Sequence, residues 1–399
     1  MKKTLLLQTA LVAAAGLFVA DIANAQTKEV PIGVTVGGYF NQMFQVQDRG
    51  VSGTAADTFR DHGFKTDSEI WFNVRGVLTD GTVIGARVEL ESSTYQDQID
   101  ERYMFIERAD IGRVELGSTD SVTTKMIYAA PNALPNYSTT VHSEYSAVVN
   151  APLMRFVNNL DDNERINLYT ASNRYFGSKA GKGLQLGVTY MPDACQDFSV
   201  LTNACTGQFL AAPITAEQQF QVAANYLESF GSVDAALYAG YTSAKIIGTG
   251  ATGVGSDRES GWQVGAQLTY NVGDGSSVQF GGGYNNEDIG GVSVGNQSTT
   301  STTATIATKD REAFSLGARY LTNGAAPGSV GIGVEYWNRD DKLAAGTKID
   351  QDYYHLGLTY QIAAGILGFA GVGVSDTNGP GTTNDVDQTF GVVGINLTF

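Results

Sequence analysis

The sequence predicts an all-β fold, a 16-stranded antiparallel transmembrane β-barrel whose long third extracellular loop folds inward. Three observations predict it. Apolar and polar residues alternate in sixteen separate stretches, the period of a strand with one apolar face and one wet face. The connectors between those stretches run short and long by turns. Past the first 25 residues no apolar run is long enough to cross a bilayer as a helix, so any crossing falls to strands.

The chain opens with Lys2 and Lys3, an apolar run from Leu5 to Ala20, and Ala23-Asn24-Ala25. That is the layout of a secretory signal peptide over residues 1–25, leaving residues 26–399 as one barrel domain. A single membrane anchor is the alternative, and the run is short for one.

Strands are expected over 35–46, 68–78, 82–92, 101–109, 112–118, 165–172, 183–191 and 219–228. The rest fall at 232–244, 261–270, 277–285, 313–321, 329–338, 353–362, 366–375 and 389–399. Short connectors at 79–81, 110–112, 229–231, 271–276, 322–328 and 363–365 mostly carry the Gly, Asn or Asp of tight hairpins. Long polar ones lie between, at 247–260, 286–310 and 376–388. Turns at one end and long loops at the other are the two sides of an outer-membrane barrel.

Alternation sorts the faces. In 261–270, Trp262, Val264, Ala266, Leu268 and Tyr270 share one side, and Gln263, Gly265, Gln267 and Thr269 the other. The stretch 101–109 is half apolar on both sides, so alternation does not orient it. A soluble β-sandwich would place Lys and Glu on its wet face, where this chain places Gly, Gln, Thr and Ser. With 48 Gly, 19 Tyr, 18 Phe and only 8 Pro, the composition is the average of a lipid-facing and a water-facing surface. A net charge of −16 repels phosphate and speaks against nucleic acid as a partner. Cys195 and Cys205, the two cysteines of this exported chain, read as a disulfide closing one loop; their spacing is not CxxC and no His lies near.

The connector 119–164 is the longest, about 46 residues, and follows the fifth strand. Its mixture of apolar, Pro and acidic residues suits a loop that bends into the barrel and narrows it; a loop packed on its external neighbours is the alternative.

Sixteen strands, a long third loop and the terminal Phe399 together resemble the trimeric general porins of Gram-negative bacteria. The phrases "SEIWFNVRG" (68–76), "DERYMFIERADIGRVELG" (100–117) and "GLQLGVTYMPD" (183–193) look like that family's alphaproteobacterial branch. The resemblance implies a water-filled channel in the cell outer membrane for passive diffusion of small hydrophilic solutes and ions. It also implies a homotrimer among outer-membrane lipids, and a terminal aromatic, Phe399, read by the barrel-assembly machinery. In this family the third loop faces basic residues of the wall across the narrowest point. Alternation turns Arg75, Arg87 and Arg113 inward, and the loop offers Asp120, Glu144, Asp161 and Asp162 as acidic partners. Each Arg is equally well accounted for as a wall residue satisfied by a neighbouring carboxylate. The chain departs from enteric relatives in lacking their PEFGG-like turn in the loop, and residues 170–183 lack a frequent Ser-Pro.

Two rival functions remain. A substrate-selective channel with a saturable sugar or anion site would need an inward aromatic track or a ladder of Lys and Arg along the lumen; Trp71 and Trp337 are the candidates for a track, and two aromatics make a weak one. An enzyme would need His beside a nucleophile, and only His62, His142 and His355 exist. His142, Ser143 and Glu144 are adjacent in sequence, so their side chains point apart, and no catalysis is expected. No cofactor is expected either. Acidic Gly-rich loops such as 376–388 offer the oxygens that Ca²⁺ takes, and solvated loop charge explains them more simply.

Overall fold

The computed structural model describes residues 29–51, 61–91, 99–134, 156, 163–171, 175–177, 179, 181–193, 214–248, 258–293, 307–324, 326–343, 346–379 and 385–399. The strands are β1 (Val30–Val51), β2 (His62–Val77), β3 (Val83–Glu91), β4 (Arg102–Arg108), β5 (Gly112–Ser118) and β6 (Glu164–Thr170). They continue with β7 (Tyr175–Phe176), β8 (Gly183–Asp193), β9 (Ile214–Phe230), β10 (Val233–Gly248), β11 (Arg258–Gly273) and β12 (Ser276–Ser293). The last five are β13 (Ala307–Leu321), β14 (Val330–Leu343), β15 (Lys348–Ala363), β16 (Ile366–Asn378) and β17 (Val386–Thr398). One short helix, α1 (Val122–Lys125), follows β5.

Every ladder is antiparallel, and all but β6–β8 and the closing β1–β17 join chain neighbours. The two-residue β7 pairs with Gly183 and Leu184 of β8, while β6 pairs with β8 from Gly187 to Tyr190. β7 therefore prolongs the β6 stave, and the wall has sixteen. β17 pairs with β1 from Tyr39↔Thr398 to Val51↔Val386, closing the sheet so that no edge is left. Phe399 completes that seam: its amide donates to Gly38 O at 3.1 Å, and the Gly38 amide donates to Phe399 O at 3.0 Å. No helix among the described residues is long and apolar enough to cross a membrane.

All sixteen expected stretches are strands, but several are longer than alternation suggested. Residues 258–260, 286–293, 307–310, 376–378 and 386–388, expected in loops, belong to β11, β12, β13, β16 and β17. At the long-loop end the hairpins carry polar residues on both faces, so the contrast that alternation relies on fades while the ladder continues. At the other end, Asp274 (φ 49) with Gly275 (φ 82), and Asn323 (φ 48) with Gly324 (φ 60), are left-handed pairs whose twist suits a tight hairpin.

The faces separate cleanly. On β14, Ile332 and Val334 are exposed outward while Glu335, Trp337, Arg339 and Asp341 are buried inward. β4, unoriented by its sequence, turns Met104 and Ile106 outward and Tyr103 inward. The signal peptide expected over residues 1–25 and the disulfide expected between Cys195 and Cys205 lie outside the described residues.

Candidate functional site

The third loop begins where β5 ends. Ser121 caps α1 and its side chain accepts from the Thr124 amide. From there the chain is tied to inward side chains of successive strands. The Val122 amide donates to Thr189 Oγ1 at 2.9 Å, and Thr123 Oγ1 donates to Gln221 Oε1 at 2.7 Å. Tyr238 OH donates to Thr123 O at 2.9 Å, and Asn225 Nδ2 donates to Met126 O at 3.0 Å. These bonds satisfy the loop backbone away from water, which only the inner wall can do here.

Beyond Met126 the loop lies against glycines. Gly265 sits under the Tyr128 carbonyl and Gly281 under that of Ala129. A Cβ on Gly317 would fall 3.1 Å from Ala130 Cβ; on Gly333, 2.6 Å from Ala133 Cα; on Gly371, 3.0 Å from Leu134 Cδ1. Only a bare backbone lets a second layer approach so closely. The Ala133 amide donates to Glu335, and Leu134 is fully buried among Met43, Trp337, Tyr353, Phe369, Phe390 and Val392. Residues 122–134 thus cross the inner wall from β8 to β16. Phe156 is also buried, its ring against Gly261 of β11.

The remaining inner face, β2 to β6, carries a second set of charges, apart from the buried Arg311, Glu335, Arg339 and Asp341 of β13 and β14. Arg87 pairs with Glu89 and lies 4.5 Å from the centre of the Trp71 ring. Arg113 pairs with Glu107 at 3.0 Å and Glu115 at 2.8 Å, over Phe105. Arg75 is exposed, opposite Gly33 and Gly85. Both paired arginines therefore meet wall carboxylates two residues away on the same face. The Asp120 amide donates to Glu101 at 2.8 Å and its carbonyl accepts from Asn167 at 2.8 Å, so the backbone there is fixed to the wall. Glu144, Asp161 and Asp162 lie outside the described residues.

Sequence reasoning missed Lys125. Its Nζ lies 3.4 Å from Glu115 and 3.5 Å from Glu101, and 4.6 Å from the centre of the Tyr103 ring. Lys125, Glu107, Arg113, Glu115, Tyr128 and Tyr169 line a recess of about 400 Å³. The spacing Arg113-x-Glu115 was a legible signal for the wall half of this cluster, since residues i and i+2 of a strand share a face. Nothing local announces Lys125, which the loop path delivers.

Burial works against the Glu101 carboxylate, but the Lys125 ammonium, the Thr119 hydroxyl and the Asp120 amide hold it below the ordinary carboxylate range. Burial works against the Lys125 ammonium too, and Glu115 and Glu101 outweigh it, holding its pKa above the usual lysine value. The depressed carboxylate contributes stability that is present above its unfolded pKa and lost as pH falls through the folded one. The raised ammonium contributes stability that is present below its unfolded pKa and lost as pH rises through the folded one. The anchor at the loop start is complete from about pH 5 to about pH 10. Single-channel recordings across that window should show constant conductance, with larger and noisier currents on either side of it.

A closed strand wall with an apolar outer band, a charged interior and a loop laid inside defines a transmembrane β-barrel channel. The chain belongs to the Gram-negative porin family, whose sequence profile matches residues 9–394. It is an outer-membrane channel for passive diffusion. OmpT of Vibrio cholerae has the same fold at 12% identity, covering 95% of this chain and 100% of that one with a TM-score of 0.56. So do an anion-selective porin from Comamonas acidovorans, at 14% identity, 92% and 100% coverage and 0.55, and the outer-membrane channel DcaP of Acinetobacter baumannii, at 12%, 92% and 97%, and 0.53. No curated protein matches the chain in sequence.

Proposed function

We propose that the chain is a non-specific porin for small hydrophilic solutes and ions, with a mild preference for cations and no enzymatic activity. One observation carries this reading: the loop occupies the wall from β8 to β16, which leaves the charged β2–β6 side as the water-filled path. The inward side of β2–β5, with the loop start, carries Asp67, Glu69, Glu89, Glu91, Glu101, Glu107 and Glu115 against Lys65, Arg75, Arg87, Arg113 and Lys125. The excess of carboxylates favours cations, in contrast to the anion-selective Comamonas relative. Arg75, Arg87 and Arg113 of the wall, with the loop acids Asp120, Glu144, Asp161 and Asp162, make the constriction. Trp337 and Tyr353 stack with centroids 4.5 Å apart but are both buried, so this pair offers no open sugar track.

The assembly is a homotrimer without a cofactor, in contact with outer-membrane lipids, and OmpT of Vibrio cholerae is known in a trimer form. Exposed Tyr and Trp, the residues of membrane interfaces, occur on the outer face of β10–β15 at Tyr241, Trp262, Tyr270, Tyr320, Tyr354 and Tyr360. On β1–β6 every Tyr and Trp points inward, and the outward Gln42 and Thr66 hydrogen-bond each other at 2.9 Å, as suits a surface meeting protein. The terminal Phe399 serves as the signal for the barrel-assembly machinery.

Liposome swelling tests the reading. Uptake rates of neutral sugars should fall smoothly with solute size and show no saturation; saturation by one solute would favour a selective channel. Replacing Arg75 and Arg87 together by Ala should raise the potassium-to-chloride permeability ratio about twofold to fivefold. An unchanged reversal potential would place both side chains away from the constriction.

A further inference from the structure

We propose that Glu115 of β5 sets the ion preference of this channel, as the carboxylate shared by one cation of the wall and one of the third loop within a single recess. The proposal rests on the channel reading and names the residue that governs selection.

The two oxygens of Glu115 are divided between two cations. Oε1 accepts from Arg113 Nε at 2.8 Å; Oε2 lies 3.4 Å from Lys125 Nζ and also accepts from Asn167 at 3.0 Å and Tyr169 at 3.2 Å. The side chain of Glu115 is 4% exposed, whereas those of Arg113 and Lys125 are 27% and 23% exposed. The cations reach the water of the recess far more than their shared counter-ion does. A passing ion therefore meets two positive groups whose field is cancelled from behind. Removing the charge of Glu115 takes one carboxylate from both at once, leaving Arg113 with Glu107 and Lys125 with Glu101, and confined water of low effective dielectric amplifies the change. The loop here brings a cation to wall carboxylates, so selection does not depend on loop acids alone.

Asn167 and Tyr169 both donate to Oε2 and fix the position of the carboxylate, so Gln at 115 can keep its carbonyl on these two donors while losing the charge and the bond from Arg113. The test is the zero-current potential of the full-length channel in planar bilayers under a potassium chloride gradient. Glu115→Gln should lower the potassium-to-chloride permeability ratio about fivefold, and Lys125→Gln should raise it by a similar factor. The double variant should return close to wild type, because one charge of each sign is gone. Shifts of the same sign in both single variants would mean that the loop had merely loosened, and would overturn the proposal. Unchanged ratios in conducting variants would overturn it as well. Should Glu115→Gln fail to assemble, Lys125→Gln and Arg113→Gln decide the matter, since both must raise the ratio. A wild-type protein that does not conduct overturns the channel reading itself, an outcome distinct from conducting variants with unaltered selectivity.

Discussion

Replacing Leu134 by Asp is expected to release the third loop from the wall and raise single-channel conductance at least about twofold, without unfolding the barrel. Leu134 is fully buried in an apolar cluster contributed by β1, β14, β15, β16 and β17. Truncating such a residue to Ala costs about 2–5 kcal/mol, and a carboxylate left there without a partner costs more. The barrel does not depend on that contact, because its sixteen staves are closed by backbone ladders. The loop does depend on it: beyond Met126 it is held by close packing and the Ala133 bond to Glu335. The loss therefore falls on the loop. Conductance and far-ultraviolet circular dichroism measured on the same preparation separate the two, the first rising and the second unchanged.

Gly265→Val should act in the opposite sense. The Tyr128 carbonyl lies where a Cβ on Gly265 would be placed, so a side chain there leaves the loop one way to move, toward the lumen. Protein interiors do not absorb several added carbons by compression. The open cross-section should shrink and conductance fall by about half. Gly63 on β2, with open space around its Cβ position, is the control, and Val there should leave conductance unchanged. Opposite responses from Leu134→Asp and Gly265→Val would show that one seated loop controls the bore.

The barrel was legible because two solvents write on every strand. Lipid requires Ile332 and Val334 on one side of β14, and the lumen tolerates Glu335 and Arg339 on the other, so a period of two survives even where composition is ordinary. Closure of the last strand onto the first, completed by the Phe399–Gly38 bonds, agrees with the same pattern, since a last strand with an apolar face has to find the first. The inner layer was less legible. Gly265 and Gly317 could be placed on the wet face, but a small residue facing water and a glycine seating a second layer look alike in one strand. Their meaning appears only when Gly265, Gly281, Gly317, Gly333 and Gly371 are seen to underlie consecutive loop residues. The arginines were placed inward, and of the two readings left open for them the structure shows the neighbouring wall carboxylate for Arg87 and Arg113, through Glu89 and Glu115. Lys125 was out of reach because its partners, Glu101 and Glu115, come from elements that only folding brings beside α1.

The most direct test of the account is single-channel recording of the purified wild-type protein in a planar bilayer. A stable, ohmic conductance that scales with salt concentration, with a modest preference for potassium over chloride, is the predicted result. A bilayer left silent by folded protein, or a current blocked at low concentration by one sugar or anion, would contradict it.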